Sequence, residues 1–524
     1  MKEKSQVLIK KPSSEFNNSL KLLVRSSVVV FVGVVLSKVL AYLYRIVVAR
    51  YYGPEAYGLF ALSFMVIGWA SVIAGLGISE GLTRYIPYYL GKKEKNKVSC
   101  LFNISFKALI ILGLLAGGLL FILSDVIAIK IFSNSELAGF LKIFSFSIPI
   151  SAVLGILLVS LRSYEKIGWF SFISNILENT LRLIILFVLI FVGIGSSSIA
   201  YSVLAGVGAT LLISWMIVRK VVPETFEKGE KIEEKEKKKL IRDLFSYSWP
   251  LIFSGILLSV FYWTDTFFIG FFRSVEEVGF YNAAVPIAIL LTLPKALFTQ
   301  LFFPMVTREY GKGNIDVVRQ LSKQVGKWIF VMSAPLFVLI MIFPGVFINL
   351  LFGPEYLVAE NALRFLTIGV LFTTQLEISK DLLSMKGKSK MILGDIVFAA
   401  ILNVVLNLFL IPKYGISGAG FATMVSLIFL NSLFLIQSAK YLSIVPARKK
   451  MIGIFISAAI PAAIVLVLRS YIEVSFVSII ALGALFMLLY LLLFFAFRSL
   501  DKNDYLIIEA VKNKIYRVET EAGL

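Results

Sequence analysis

The chain has 524 residues, 58% hydrophobic and 14% aromatic, with a formal net charge of +20, one cysteine and no histidine. Apolar runs of about twenty residues recur along nearly its whole length, which excludes a soluble multidomain protein and marks a polytopic helical membrane protein. The continuous runs exclude a β-barrel, whose strands alternate; absent histidines exclude His-based catalysis and His metal sites, and the lone Cys100 excludes an internal disulfide.

The first apolar run, residues 28–49 (VVVFVGVVLSKVLAYLYRIVVA), carries Lys38, Tyr42 and Arg45 at i, i+4 and i+7, one stripe of a helix. Such a run spans a bilayer core of roughly 30 Å at 1.5 Å per residue. A cation at its centre costs about 2.5–3.5 kcal/mol, so the stripe is expected to face a wet cavity between helices. Further spans are expected at 57–80, 98–123, 137–160, 167–192, 198–218, 246–271, 278–305, 328–351, 361–385, 391–411, 416–438, 451–468 and 474–497, fourteen in all. The polar segment 220–243 holds the pairs Glu227/Lys231, Glu233/Lys237 and Glu234/Lys238 in helix-favouring order and reads as a cytoplasmic helical linker. Residues 501–517 mix Tyr505, Ile508, Val511 and Ile515 with Lys512, Lys514 and Arg517, the pattern of an amphipathic surface helix or of a frayed tail.

With the amino terminus inside, the inner segments hold 39 of the 52 lysines and arginines and the outer loops 5. The positive-inside rule then predicts a multi-pass cell-membrane protein with both termini cytoplasmic. The basic charge belongs to one membrane face, not to a nucleic-acid partner. The polar amino terminus and long first span predict no cleaved leader.

The chain repeats itself. Glu55-Ala-Tyr-Gly58 recurs as Glu276-Glu-Val-Gly279 and Ser163 as Ser384, at an offset of 221; Leu141-Lys142 recurs as Leu363-Arg364, Gly193 as Gly415 and Ala200 as Ala422, at 222. Each unit has six spans, so both enter from the same side, with the substrate path between them. The expected fold is all-α: an N-terminal lobe over 1–219, the linker 220–243, a C-terminal lobe over 244–440, two added spans within 441–498 and a cytoplasmic tail over 499–524.

Soluble-enzyme motifs fail. Gly387-Lys388-Ser389 imitates the end of a P-loop, but Leu382 stands where the earlier glycine belongs. The informative residues are ionisable groups inside spans. Glu178 and Arg182 form an i,i+4 pair in span five, read as a self-compensating pair between packed helices or as a cavity feature. Asp265 in span seven lies beside Trp263, and Lys295 lies mid-way in span eight. Span ten holds Arg364, then Glu377, Lys380 and Asp381, which either serve the cavity or snorkel to the cytoplasmic face. Lys107 and Lys142 are expected to snorkel. Lys38, Arg45 and Lys295 have no acid in their own spans, and Asp265 could pair with one of them from an opposing helix. A cavity with surplus positive charge suits an anionic solute.

The stretch YRIVVARYYGPEAYG (Tyr44 to Gly58) and Gly75-Leu-Gly-Ile-Ser with Arg84 resemble polysaccharide exporters, the oligosaccharide-flippase branch of the multidrug/oligosaccharidyl-lipid/polysaccharide superfamily. Asp265 with Ile269-Gly, Val278-Gly-Phe-Tyr-Asn-Ala-Ala284 and Gly415-Ile-Ser-Gly-Ala-Gly420 are similar to the same group. The resemblance implies a flippase, not an enzyme, moving a polyprenyl (di)phosphate-linked saccharide to the outer leaflet by alternating access. Lys38, Arg45 and Lys295 would engage phosphate, Asp265 would balance or gate the charge, and Tyr42 and Trp263 would stack on sugar. No cofactor is expected. Proton or sodium coupling stays open, as does association with glycosyltransferases or polymerases. The competing readings are a cation-coupled drug or metabolite exporter and a non-transporting membrane scaffold; span one carries no acid, which counts against drug export.

Overall fold

A computed structural model describes residues 14–226, 232–446, 450–471 and 476–497. The described residues form helices and turns with no strand. In chain order these are α1 Ser14–Gly75, α2 Ile78–Gly91, α3 Lys95–Val126, α4 Glu136–Ser145, α5 Ser147–Ser163, α6 Ile167–Ser171, α7 Glu178–Val192, α8 Ser198–Val221 and α9 Glu234–Phe272. There follow α10 Val275–Ile289, α11 Leu293–Gly311, α12 Ile315–Ile342, α13 Pro344–Leu351, α14 Glu360–Met385, α15 Ser389–Leu442, α16 Lys450–Tyr471 and α17 Phe476–Ala496. Eleven helical stretches among the described residues are long and apolar enough to cross a membrane, and Ala481–Ala496 is a shorter apolar helix. This is a multi-pass membrane protein.

Two of the longest stretches are pairs of helices. α1 breaks at Gly53, where φ is 82° and ψ 179°, with Pro54 opening the second arm. Proline suits a helix start because its missing N–H is unneeded there. α15 breaks at Gly415 (φ 54°, ψ −138°) in the same way. Both glycines adopt backbone that a side chain would strain. The charged linker continues directly into span seven as the first turns of α9; residues 227–231, and with them the Glu227/Lys231 pair, lie outside the described residues, as does the tail at 501–517. There Lys237 meets Glu234 at 3.5 Å, and Glu236 meets Lys97 of α3 at 2.8 Å.

The chain divides into two compact units, Met1–Asn282 and Ala283–Leu524. Within the first, Leu82, Leu101, Leu157, Val218 and Leu244 build a core from α2, α3, α5, α8 and α9. Within the second, Ile454, Val465, Phe486 and Tyr490 of α16 and α17 pack on α12, and the Tyr490 hydroxyl donates to the Val331 carbonyl at 2.9 Å. Outward faces are apolar: Ile122 is 73% exposed, Phe191 93% and Leu212 68%. Such surfaces would drive aggregation in water and suit a lipid surround.

The repeated motif makes a reciprocal contact inside the first unit. A Cβ built on Gly58 would overlap the Val275 carbonyl oxygen, and one on Gly279 would overlap that of Pro54. Residue 54 plus the 221 offset is 275, and 58 plus 221 is 279. Each motif therefore touches the other through matching positions, the pattern that a twofold axis generates.

Candidate functional site: a cationic stripe among tyrosines

The first arm of α1 is held on one face by hydrogen bonds to its neighbours. Tyr44 bonds to Ser202 at 2.9 Å and donates to the Ile199 carbonyl at 3.2 Å, both on α8. Asn179 of α7 donates to Ser37 at 3.1 Å, and Gly33 lets Ser171 of α6 approach closely. Positions 33, 37 and 44 thus fix the packed side of the helix. Lys38, Tyr42 and Arg45 lie round the helix from it and are all half-buried. The Arg45 guanidinium donates to the Tyr57 hydroxyl, and Tyr42 and Tyr262 stand close to it. Tyr57 passes the bond on, donating to the Asn282 carbonyl at 3.1 Å. Among the described residues no carboxylate pairs with Lys38 or Arg45. Arg45 among phenol oxygens, with Lys38 on the same stripe, can bind a multiply charged anion by charge-assisted hydrogen bonds.

Asp265 is buried, 7% exposed, and accepts the Tyr281 hydroxyl. Next to it, Asn282 donates to Thr266 at 3.2 Å. These bonds tie α9 to α10. Trp263 is half-buried, its Nε1 3.7 Å from where a Cβ on Gly68 would stand. Glu178 and Arg182 do pair, at 2.5 Å, and the Arg182 guanidinium also faces the Tyr44 and Phe64 rings.

In the second unit, Lys295 of α11 is bonded to Glu377 of α14, which also takes Lys380 at 3.1 Å. Asp381 completes the group with one buried oxygen, Oδ2, that has no hydrogen-bond partner among the described residues. Lys295 is therefore not a surplus cation: its counter-charge comes from span ten, three helices away in sequence, where a search of its own span could not find it. Glu377 turns inward to it instead of snorkelling. Arg364 pairs with Glu360 at 3.2 Å, and Lys142 with Asp125 at 2.8 Å; Lys107 is exposed. Lys327, counted by sequence with an inner loop, is fully buried in α12.

Tyr57 and Tyr262 were missed as members of the Arg45 environment. Tyr57 sits at the opposite side of the Gly53 break and Tyr262 more than two hundred residues away, so no local spacing links them to Arg45. Their one sequence signal was the aromatic density around each motif.

Residues 23–309 match the profile of a family described as polysaccharide biosynthesis protein, and residues 250–409 match the MatE profile. A putative O-antigen transporter of Shigella flexneri is 23% identical over 400 residues, covering 74% of this chain and 90% of its own length. The probable flippase AglR of Haloferax volcanii is 23% identical over 434 residues, covering 80% and 84%. Among solved structures, lipid II flippase MurJ in an inward closed conformation superposes with a TM-score of 0.69 at 17% identity, covering 90% of this chain and 99% of that one. With more than half its length matched by one profile, the chain belongs to the polysaccharide biosynthesis protein family.

Proposed function

We propose that this protein is a flippase that carries a polyprenyl (di)phosphate-linked oligosaccharide from the inner to the outer leaflet by alternating access, in cell-surface glycan assembly. The observation that carries this reading is the pair Lys38 and Arg45, half-buried in a membrane span, with tyrosines beside Arg45 and no carboxylate paired with either among the described residues. Uncompensated cations at that depth are costly and mark a path for an anion. The names of the relatives, an O-antigen transporter and flippases, support the same cargo class. Lys295 would serve only after releasing Glu377, and Asp265 would act through Tyr281. The reciprocal Gly58–Gly279 contact supports two repeats of six spans about an axis along the membrane normal, and the charge on the loops supports cytoplasmic termini.

The membrane potential suffices as a driving force. A head group of about two negative charges moving outward under an inside-negative potential gains roughly 4–5 kcal/mol per 100 mV. Proton or sodium coupling would add to this, and glycosyltransferases would supply the cargo. In liposomes holding the purified protein, outward movement of a fluorescent polyprenyl diphosphate-linked sugar should fall at least tenfold in Lys38→Ala/Arg45→Ala; full transport by that variant refutes the assigned roles. The MatE match favours a second reading, a cation-coupled drug exporter. Drug resistance conferred on a sensitive host, and lost on Asp265→Asn, would support it.

A further inference from the structure

Span two does not cross unbroken. The second arm of α1 stops at Gly75 and α2 starts at Ile78. Between them Leu76 and Gly77 both take left-handed backbone, with φ of 42° and 62°. A leucine held there costs on the order of 1–3 kcal/mol and persists only where its surroundings impose it, typically at functional sites. The imposing element is α9. A Cβ on Gly77 would stand 2.7 Å from the Ser248 carbonyl oxygen, and one on Gly81 would meet the Ser248 hydroxyl. Interrupted membrane helices are tolerated where they line a cavity.

A cavity is there. It has a volume of about 310 Å³ and is lined by Ser71, Gly75, Ser79, Glu80, Ser151 and Gly155, with apolar residues from α3 and α9. That size falls within the range of small-molecule sites. Among the described residues the side chains of Ser71, Ser79, Glu80 and Ser151 make no hydrogen bond or ion pair with the protein. Four glycines, Gly75, Gly77, Gly155 and Gly255, admit a ligand to the backbone. The cavity also has a fixed relation to the cationic stripe. Gly255 of α9 forms part of its wall, and a Cβ on that glycine would stand 3.5 Å from Val72. Tyr262, beside Arg45, lies seven residues further along α9, roughly 10 Å at 1.5 Å per residue.

We propose that this cavity is a saccharide subsite, taking a neutral polyhydroxylated ring while the phosphates lie with Lys38 and Arg45. Glu80 accepts hydrogen bonds from neighbouring ring hydroxyls, charge-assisted and so the strongest in the site. Ser71, Ser79 and Ser151 exchange weaker ones, and the glycines let the flat face of the ring approach the backbone. The inference rests on the flippase reading for its cargo and adds to it a place where sugar is distinguished from carrier.

The test uses the full chain in nanodiscs and two probes, polyprenyl diphosphate and polyprenyl diphosphate-N-acetylglucosamine. The wild type should bind the sugar-bearing lipid more tightly. In Glu80→Gln that preference should fall about tenfold, and in Ser151→Ala by less. Gly155→Leu, which fills the cavity beyond the Ser79 hydroxyl 3.8 Å from its Cβ, should abolish it. Should Gly155→Leu fail to fold, the two polar variants still decide. An unchanged preference in Glu80→Gln, or an equal loss for both lipids, overturns the subsite. Failure of the wild type to bind either lipid instead overturns the flippase reading, and the subsite with it.

Discussion

The sharpest perturbation is a single methyl group at the reciprocal contact. In Gly58→Ala the new Cβ lands on the Val275 carbonyl oxygen, with Val275 Cγ1 at 3.0 Å. The colliding atom is backbone and cannot rotate away, so α1 and α10 must separate by an ångström or more. Overpacking of this kind costs about 1–3 kcal/mol. If the contact exists in one conformer of the transport cycle and not in the other, that cost becomes a shift of roughly 5–150-fold away from the conformer that holds it. Gly279→Ala attacks the same interface from the other side, through the Pro54 carbonyl and the Gly58 nitrogen at 3.2 Å. The two effects should therefore add to less than their sum. Glu55 and Glu276, the counterpart residues of the two motifs, are both exposed and accept spin labels once Cys100 is replaced by serine. The wild type should give a short-distance population that loses weight in either alanine variant. Gly118→Ala, where a Cβ meets nothing within 4 Å, is the control and should leave the distances unchanged. An unaltered distance distribution and melting temperature in Gly58→Ala would refute the reasoning.

Glu377→Gln should lower thermal stability in detergent, by about 3 kcal/mol at most, because it removes the carboxylate bonded to Lys295 in a site where that side chain is 15% exposed. Lys295→Met/Glu377→Leu should recover at least half of the loss, since it removes both charges together. Tyr57→Phe removes the hydroxyl that joins Arg45 to the Asn282 carbonyl and should weaken phosphate-lipid binding by about 1–2 kcal/mol, measured as a rise in Kd for polyprenyl diphosphate. Tyr490→Phe should cost about 1 kcal/mol in melting experiments and leave that Kd unchanged, because its hydroxyl serves only to join α17 to the Val331 carbonyl of α12.

Much of the fold was legible because the bilayer simplifies the problem. Backbone polar groups must be satisfied within each segment, so a run such as 98–123 has to be helical, and α3 is. Glycine-proline at 53–54 announced a break, since neither residue continues a helix there without cost. Charge pairs within one helix were equally readable: Glu178 and Arg182 are four residues apart and meet. The linker was harder. Its helical pattern was visible, but its fusion to span seven depends on α9 running on uninterrupted, which no local residue forces.

What the sequence by itself determined is that two cations sit on one stripe of the first span, that the chain is helical and polytopic, and that one motif occurs twice. Periodicity and hydrophobicity are local properties, and they suffice for this. Only the tertiary structure decided that Lys295 is paired with Glu377 while, among the described residues, no carboxylate pairs with Lys38 or Arg45. It alone brought Tyr57 and Tyr262 to Arg45, and it broke span two over a cavity at Glu80. The reason is that charge compensation, aromatic enclosure and backbone strain are set by whichever helix arrives alongside, and that partner is chosen by packing across the bundle.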